Sequence, residues 1–86
     1  MSYGTLVKSA EISDADGSVS IGHHTDAIFI HNKNTSTAAT VKLNGHYVVY
    51  IPATPGTTAG LYHKVPGDYT TIEVTSNTEI AFYAIG

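Results

Sequence analysis

The sequence predicts an all-β fold: a small antiparallel β-sandwich or barrel, jelly-roll-like, with seven or eight short strands. Val, Ile and Thr supply 27 of the 86 residues, whereas Leu occurs three times and Gln and Arg are absent. β-Branched side chains suit a pleated sheet, and the missing types are good helix formers. Apolar and polar residues also alternate with a period of two between clusters of Gly, Pro, Asn and Asp. This pattern is typical of strands joined by tight turns.

The first half of the chain contains three predicted strands, at residues 5–12, 18–21 and 27–31. Residues 14–17 predict a turn, because Asp side chains bond nearby backbone groups and Gly adopts positive φ. Residues 27–31 are apolar on both faces, which indicates a central strand that is covered on both sides. The polar segment 32–37 is predicted to be a loop in water.

A hairpin is the strongest local prediction. Residues 38–43 and 46–51 flank Asn44-Gly45, the preferred pair for a two-residue type I′ turn. Facing residues share one face of the hairpin. The predicted pairs are Leu43 with His46, Val41 with Val48, and Ala39 with Tyr50.

The reverse face of this hairpin carries Tyr47, Val49 and Ile51. A half-exposed hairpin should be mainly polar on its second face, yet these three large side chains lie in a row. Their burial is worth several kcal/mol at about 25 cal/mol/Å². We therefore expect this face to meet another chain or a second layer of the same chain.

The second half of the chain continues the strand-and-turn pattern. Pro and Gly residues in the segment 52–60 exclude a strand interior and predict a surface loop. The remaining predicted elements are strands at 61–65, 70–75 and 79–85, with turns at 66–68 and 76–78.

Length and composition restrict the function further. A chain of 86 residues predicts a single domain, residues 1–86, and the absence of Cys excludes disulfides and cysteine-based metal centres. No apolar run approaches the roughly 20 residues of a membrane span, and the first residues lack an export-signal pattern. A net charge of −3 with no Arg weighs against nucleic acid. We expect neither a membrane nor a nucleic-acid partner.

The residue pattern contains no catalytic or cofactor signature. Five His residues are present, but only His24 and Asp26 have a spacing that places two metal ligands on one strand face. A metal site on a symmetry axis between subunits stays open as an alternative. No Ser lies in a nucleophile elbow, and most carboxylates lie in turns. We expect no enzyme activity, no cofactor and no metal.

Tyrosines are the most informative side chains. Tyr combines a large apolar ring with a polar tip, which suits protein interfaces and sugar platforms as well as ordinary cross-strand packing. The interface candidates are Tyr47, Val49, Ile51, Tyr62 and Tyr69.

The order of segments from Ala27 onward carries a family resemblance. An apolar strand (27–30) and a polar hairpin precede an aromatic-rich strand ending in Ile51-Pro52, and a Gly/Thr-rich loop, a short strand, Thr70-Thr71 and a last strand with Phe82-Tyr83 follow. In this layout the chain resembles small virion-surface proteins of tailed phages and gene-transfer agents, of the head-decoration, cement and spike-base type. The resemblance implies a small β-sandwich or jelly roll, commonly trimeric, that sits on capsid proteins or carries fibres. The resemblance assigns no functional role to any residue of this chain.

The expected function is therefore a non-enzymatic structural role in a phage virion, as a capsid decoration, cement or spike-base subunit. Its expected partners are itself, as a homotrimer, and the major capsid protein or a head fibre protein. It would be made in the host cytoplasm and located on the capsid surface. The alternative is a receptor- or carbohydrate-binding module of a fibre or a lectin-like domain, which would use exposed Tyr beside polar groups, for example Tyr69 with Asp68.

Overall fold

Short strands account for most of the molecule. The computed structural model describes residues 5–22, 24–53, 61–75 and 79–86. These ranges contain a 3-10 helix, Asp14–Asp16, and strands β1 (Leu6–Ser13), β2 (Val19–Ser20), β3 (Ala27–Asn32), β4 (Ala39–Leu43), β5 (Tyr47–Ile51), β6 (His63–Pro66), β7 (Thr71–Thr75) and β8 (Glu79–Ile85). His23, the predicted turn at 76–78 and most of the predicted loop at 52–60 lie outside the described residues.

The strands form two four-stranded antiparallel sheets, with the orders β1-β8-β3-β6 and β2-β7-β4-β5. Strands of the first half pair with strands of the second half, β1 with β8, β2 with β7, β3 with β6, and β4 with β5. The chain is thus one long hairpin that folds back at Asn44-Gly45 and wraps into a sandwich. This arrangement is a jelly roll. The predicted fold class is confirmed, as a sandwich.

The core lies between the two sheets. Every second residue along the longer strands faces it, as the period of two requires. Full burial of each large aliphatic or aromatic side chain stabilises the fold by about 1.5–3 kcal/mol. The largest fully buried apolar side chains are Phe82, Ile28, Ile30, Leu43, Ile51, Ile72, Ile80, Val41 and Val74.

The hairpin register differs from the prediction by one residue. Asn44 and Gly45 both have positive φ, 56° and 78°, and the His46 N–H donates to the Leu43 carbonyl at 3.2 Å. The predicted turn at Asn44-Gly45 is confirmed, but its predicted length of two residues is not. The ladder, however, resumes with Leu43 opposite Tyr47, which leaves His46 in the loop as an extra residue. The predicted pairing is therefore wrong, and the side chains of β5 lie on the faces opposite to those predicted.

This shift decides which β5 residues are buried. Val49 pairs with buried Val41, and Ile51 is only 1% exposed. Val48 and Tyr50 face outward and are 42% and 72% exposed. The face predicted to meet another chain or a second layer of its own chain meets the second layer, which is the other sheet of the sandwich.

Asn44 explains why the register shifts. Both faces of β5 are rich in apolar residues, so its own hydrophobic pattern does not select one register. The Asn44 N–H donates to the Thr71 carbonyl at 3.1 Å, its Nδ2 donates to the Asp68 carbonyl at 3.1 Å, and its Oδ1 accepts from the Thr70 N–H at 2.8 Å. The His46 Nδ1 donates to the Asn44 carbonyl at 2.9 Å. The long-range bonds of Asn44, together with this local bond, hold His46 in the loop.

Asn32 corrects a second prediction. It belongs to the segment predicted to lie in water, yet it ends β3 on the core face and is 0% exposed. Its Nδ2 donates to the carbonyls of Thr37 at 2.8 Å and Ile51 at 3.2 Å, and its Oδ1 accepts from the Asn34 N–H at 2.8 Å. A buried amide is tolerated when it is bonded in this way. Asn32 thereby connects the end of β3 to its own loop and to the end of β5.

The observed register predicts opposite outcomes for two neighbouring substitutions. Ile51→Ala should lower the free energy of unfolding by about 2–5 kcal/mol, because it empties a core position. Tyr50→Ala should change it by no more than about 0.5 kcal/mol, as for an exposed site. Urea unfolding at low protein concentration measures both values. If Tyr50→Ala lowered the free energy of unfolding more than Ile51→Ala did, Tyr50 would be the core residue. The register with a two-residue loop would then be correct, and the observed register would be wrong.

Candidate interaction surfaces

The five predicted interface residues separate into buried and exposed groups. Ile51 and Tyr69 are 1% and 8% exposed, and Val49 is partly buried against the core cluster. The prediction that Ile51 and Tyr69 are available to another chain is therefore wrong, because the opposite sheet and the loops of the same chain cover them. Tyr47 and Tyr62 are 49% and 36% exposed, and they remain candidates.

Tyr69 closes one end of the sandwich. Its ring stacks on that of Tyr47, with the centroids 6.0 Å apart and the planes within 8°. Its Oη donates to the Pro66 carbonyl at 2.7 Å, and its N–H donates to Thr25 Oγ1 at 2.9 Å. A Cβ on Gly67 would lie 2.7 Å from the Tyr69 hydroxyl, so only glycine fits beside this ring. Tyr69 therefore cannot form an open sugar platform with Asp68, contrary to the alternative prediction.

Asp68 joins several loops at this same end. The His24 Nδ1 lies 2.8 and 2.9 Å from the two Asp68 carboxylate oxygens, and the Thr25 N–H donates to Asp68 Oδ1 at 3.2 Å. Because an ionised carboxylate only accepts, the proton of a neutral His24 lies on Nδ1. Histidine–carboxylate pairs orient catalytic and metal-binding imidazoles, but they also fasten loops. No sequence pattern indicates this pair, since 43 residues lie between its members.

A shallow pocket adjoins this pair. It has a volume of about 380 Å³ and is lined by Ser20, Gly22, His24 and Thr70. The His24 and Asp68 side chains are 77% and 58% exposed. Solvent therefore reaches the pair freely, in contrast to the dry environment that strengthens catalytic electrostatics.

The outer face of the first sheet carries a cluster that sequence reasoning missed. We call Phe29, His31, Tyr62 and Tyr83 the aromatic cluster. Phe29 lies opposite Tyr83 in the β3–β8 ladder, and their rings stack with centroids 4.7 Å apart. Tyr62 lies 5.1 Å from Tyr83 and 5.5 Å from His31 between ring centroids. In the sequence, this cluster is indicated by the apolar residues on both faces of β3 and β8. The predicted central position of β3 is confirmed, but its outer face is only partly covered.

The edge of the second sheet is a second apolar surface. β5 is the last strand of this sheet in the described residues. We call the outward-facing side chains Val48 and Tyr50 the β5 outer pair. Their neighbours across the β4 ladder are Lys42 and Thr40. Tyr50, at 72%, is the most exposed large hydrophobic residue in the described ranges.

Lys33 forms ion pairs with two glutamates. Lys33 Nζ lies 3.1 Å from Glu11 Oε1 and 3.2 Å from Glu79 Oε1. The hydrogen bond to Glu11 and then that to Glu79 raise the pKa of Lys33 above its ordinary value of 10.5. Exposed ion pairs of this kind contribute little to stability. This cluster ties the loop after β3 to β1 and β8.

Comparison with known proteins finds no matching family model, no similar curated protein and no similar solved structure. Among the described residues, no group of three or more His, Asp or Glu side chains is placed to hold a metal ion. No helix in the described ranges has the length and hydropathy that crossing a membrane requires.

Tyr69 predicts a pH dependence of stability. Burial raises the pKa of Tyr69 above its ordinary value of 10.0, and the Tyr47 phenol raises it further. Because the phenol ionises first in the unfolded chain, the contribution of Tyr69 is complete below pH 10.0 and is lost as the pH rises through the folded-state pKa. Urea unfolding across this window should show a steeper loss of stability in the unsubstituted chain than in Tyr69→Phe.

Lys33, whose pKa is also raised, is present in both chains, so its contribution to the pH dependence cancels between them. Equal steepness in Tyr69→Phe and the unsubstituted chain would contradict this role for Tyr69.

Proposed function

We propose that this protein is a non-enzymatic structural component of a phage virion, a capsid decoration, cement or spike-base subunit. It acts by binding other copies of itself, in the trimer that the family resemblance implies, and by binding the major capsid protein or a head fibre protein. The supporting observation is a surplus of apolar surface at β5, on a small jelly roll of low charge.

The exposed apolar surface is large for a chain of 86 residues. Val48 and Tyr50 lie outward on an outermost strand, and Leu6, Leu61 and Tyr62 are also at least 36% exposed. Single exposed apolar residues are ordinary on monomers, but grouped ones mark interaction sites. Covering the β5 outer pair would contribute about 25 cal/mol for each Å² of apolar surface removed from water, before the cost of association.

The fold supports the same proposal by analogy. Eight-stranded jelly rolls occur in viral capsid proteins and in lectin domains. A fold by itself does not determine function. The analogy gains weight from the segment layout that resembles virion-surface proteins, because layout and architecture then favour the same class.

Particle purification tests this proposal. Virions from the genome that encodes the chain should contain it in a fixed ratio to the major capsid protein, as measured by quantitative mass spectrometry. Particles from a deletion of its gene should bind the purified protein until saturated. Serum albumin, similarly acidic, is the control for nonspecific adsorption. The chain's absence from virions, together with no binding to the deletion particles, would contradict the proposal.

The aromatic cluster favours a second candidate, carbohydrate binding. Tyr62 and Tyr83 present phenol groups beside Phe29 on an outer sheet face, and aromatic rings with polar tips suit sugar rings. Binding to a glycan array should then fall on Tyr62→Ala and persist on Tyr50→Ala, which alters the other sheet. An array without signal, or equal loss in both variants, would count against this candidate.

A further inference from the structure

Free strand edges can pair with strands of other chains. Within the residues that the structure describes, three of the four outermost strands carry features that hinder such pairing. β1 contains Lys8 and Glu11, and its register is interrupted between Leu6 and Lys8. β6 has four residues, which include Lys64 and Pro66. β2 has only two residues. Charge, proline, irregularity and short length each hinder the addition of a strand.

β5 lacks all of these features. Its sequence, Tyr-Val-Val-Tyr-Ile, contains no charged residue, no proline and no glycine, and it pairs with β4 in an unbroken register over its whole length. Its residue types have high β propensity. In the described part of the chain, β5 is thus the one outermost strand of useful length without protection.

We infer that two copies of this chain join through β5, antiparallel and about a two-fold axis at Val49, so that two sheets become one continuous eight-stranded sheet. The inference rests on the proposed function in that it specifies where self-association occurs. A two-fold contact closes as a dimer, so the trimer in the proposed function would need a second, different contact between copies.

The strand is self-complementary in this register. Val48 lies opposite the partner's Tyr50, and Tyr50 lies opposite the partner's Val48, so the β5 outer pair meets its symmetry copy. An aromatic side chain opposite a β-branched one is a favourable cross-strand pair. On the inner face, Val49 lies opposite the partner's Val49, and the two cores become continuous.

Electrostatic repulsion does not oppose the contact between the two β5 strands. β5 itself is uncharged, and the nearest lysine, Lys42, lies on β4 opposite Val48. Two β4 strands flanking a pair of β5 strands are separated by three strand spacings, about 14 Å. This exceeds the Debye length of about 8 Å at physiological ionic strength. The contact is small, so we expect a dimer that dissociates on dilution.

A charge substitution tests the contact. Val48→Lys places a protective lysine on the edge, and it should raise the dimer dissociation constant at least tenfold in sedimentation equilibrium. Ser9→Lys adds the same charge to the exposed β1 edge and should leave the constant unchanged. A dimer or trimer that Val48→Lys does not weaken would overturn the inference.

Cysteine cross-linking tests the register directly. The chain has no cysteine, so each variant carries a single thiol. Val49→Cys should form a disulfide with its own copy on mild oxidation, because directly opposed strand residues have Cα atoms 4.5–5.5 Å apart, roughly the separation a disulfide needs. Val48→Cys, whose symmetry copy lies diagonally away, should stay monomeric on a non-reducing gel. Equal cross-linking in both variants, or none, would overturn the register.

The results also separate this inference from the proposed function. A chain that binds deletion particles but does not dimerise through β5 overturns the β5 contact alone. A chain that dimerises through β5 but is absent from virions, and does not bind deletion particles, supports the contact and overturns the virion role.

Discussion

The anchoring of Asn44 is the interaction on which the rest of the structure depends. This residue forms the tip of the long hairpin, and its backbone and side chain bond to Thr70, Thr71 and the Asp68 carbonyl. These bonds join the middle of the chain to the segment before β7 and to the first residue of β7. Because strand side chains alternate with a period of two, the position of this one turn decides the orientation of every side chain in β5.

The consequence is a strand with two different roles. Its inner face completes the core through Ile51 and Val49, while its outer face leaves Val48 and Tyr50 in water. The same register that completes the core therefore leaves exposed the surface through which we propose self-association. Moving the strand to hide Tyr50 would expose Ile51.

The tyrosines show how one residue type serves several purposes in a small domain. Tyr69 is buried and hydrogen-bonded at the end of the sandwich, Tyr62 and Tyr83 belong to the aromatic cluster, and Tyr50 stands exposed on an edge. The ring supplies apolar area, and the hydroxyl tolerates water or a carbonyl partner. Such versatility suits a chain with few charged residues and no disulfide.

The sequence by itself determined the all-β class, the Asn44-Gly45 turn, the approximate positions of the strands and the likeness to a jelly roll. These features depend on local conformational preference and on a period-two pattern, which are properties of short segments. Tertiary structure alone decided the hairpin register, the burial of Asn32 and Tyr69, the His24–Asp68 pair and the aromatic cluster. Each of these depends on contacts between segments distant in sequence, and a strand that is apolar on both faces does not encode which face the other sheet will cover.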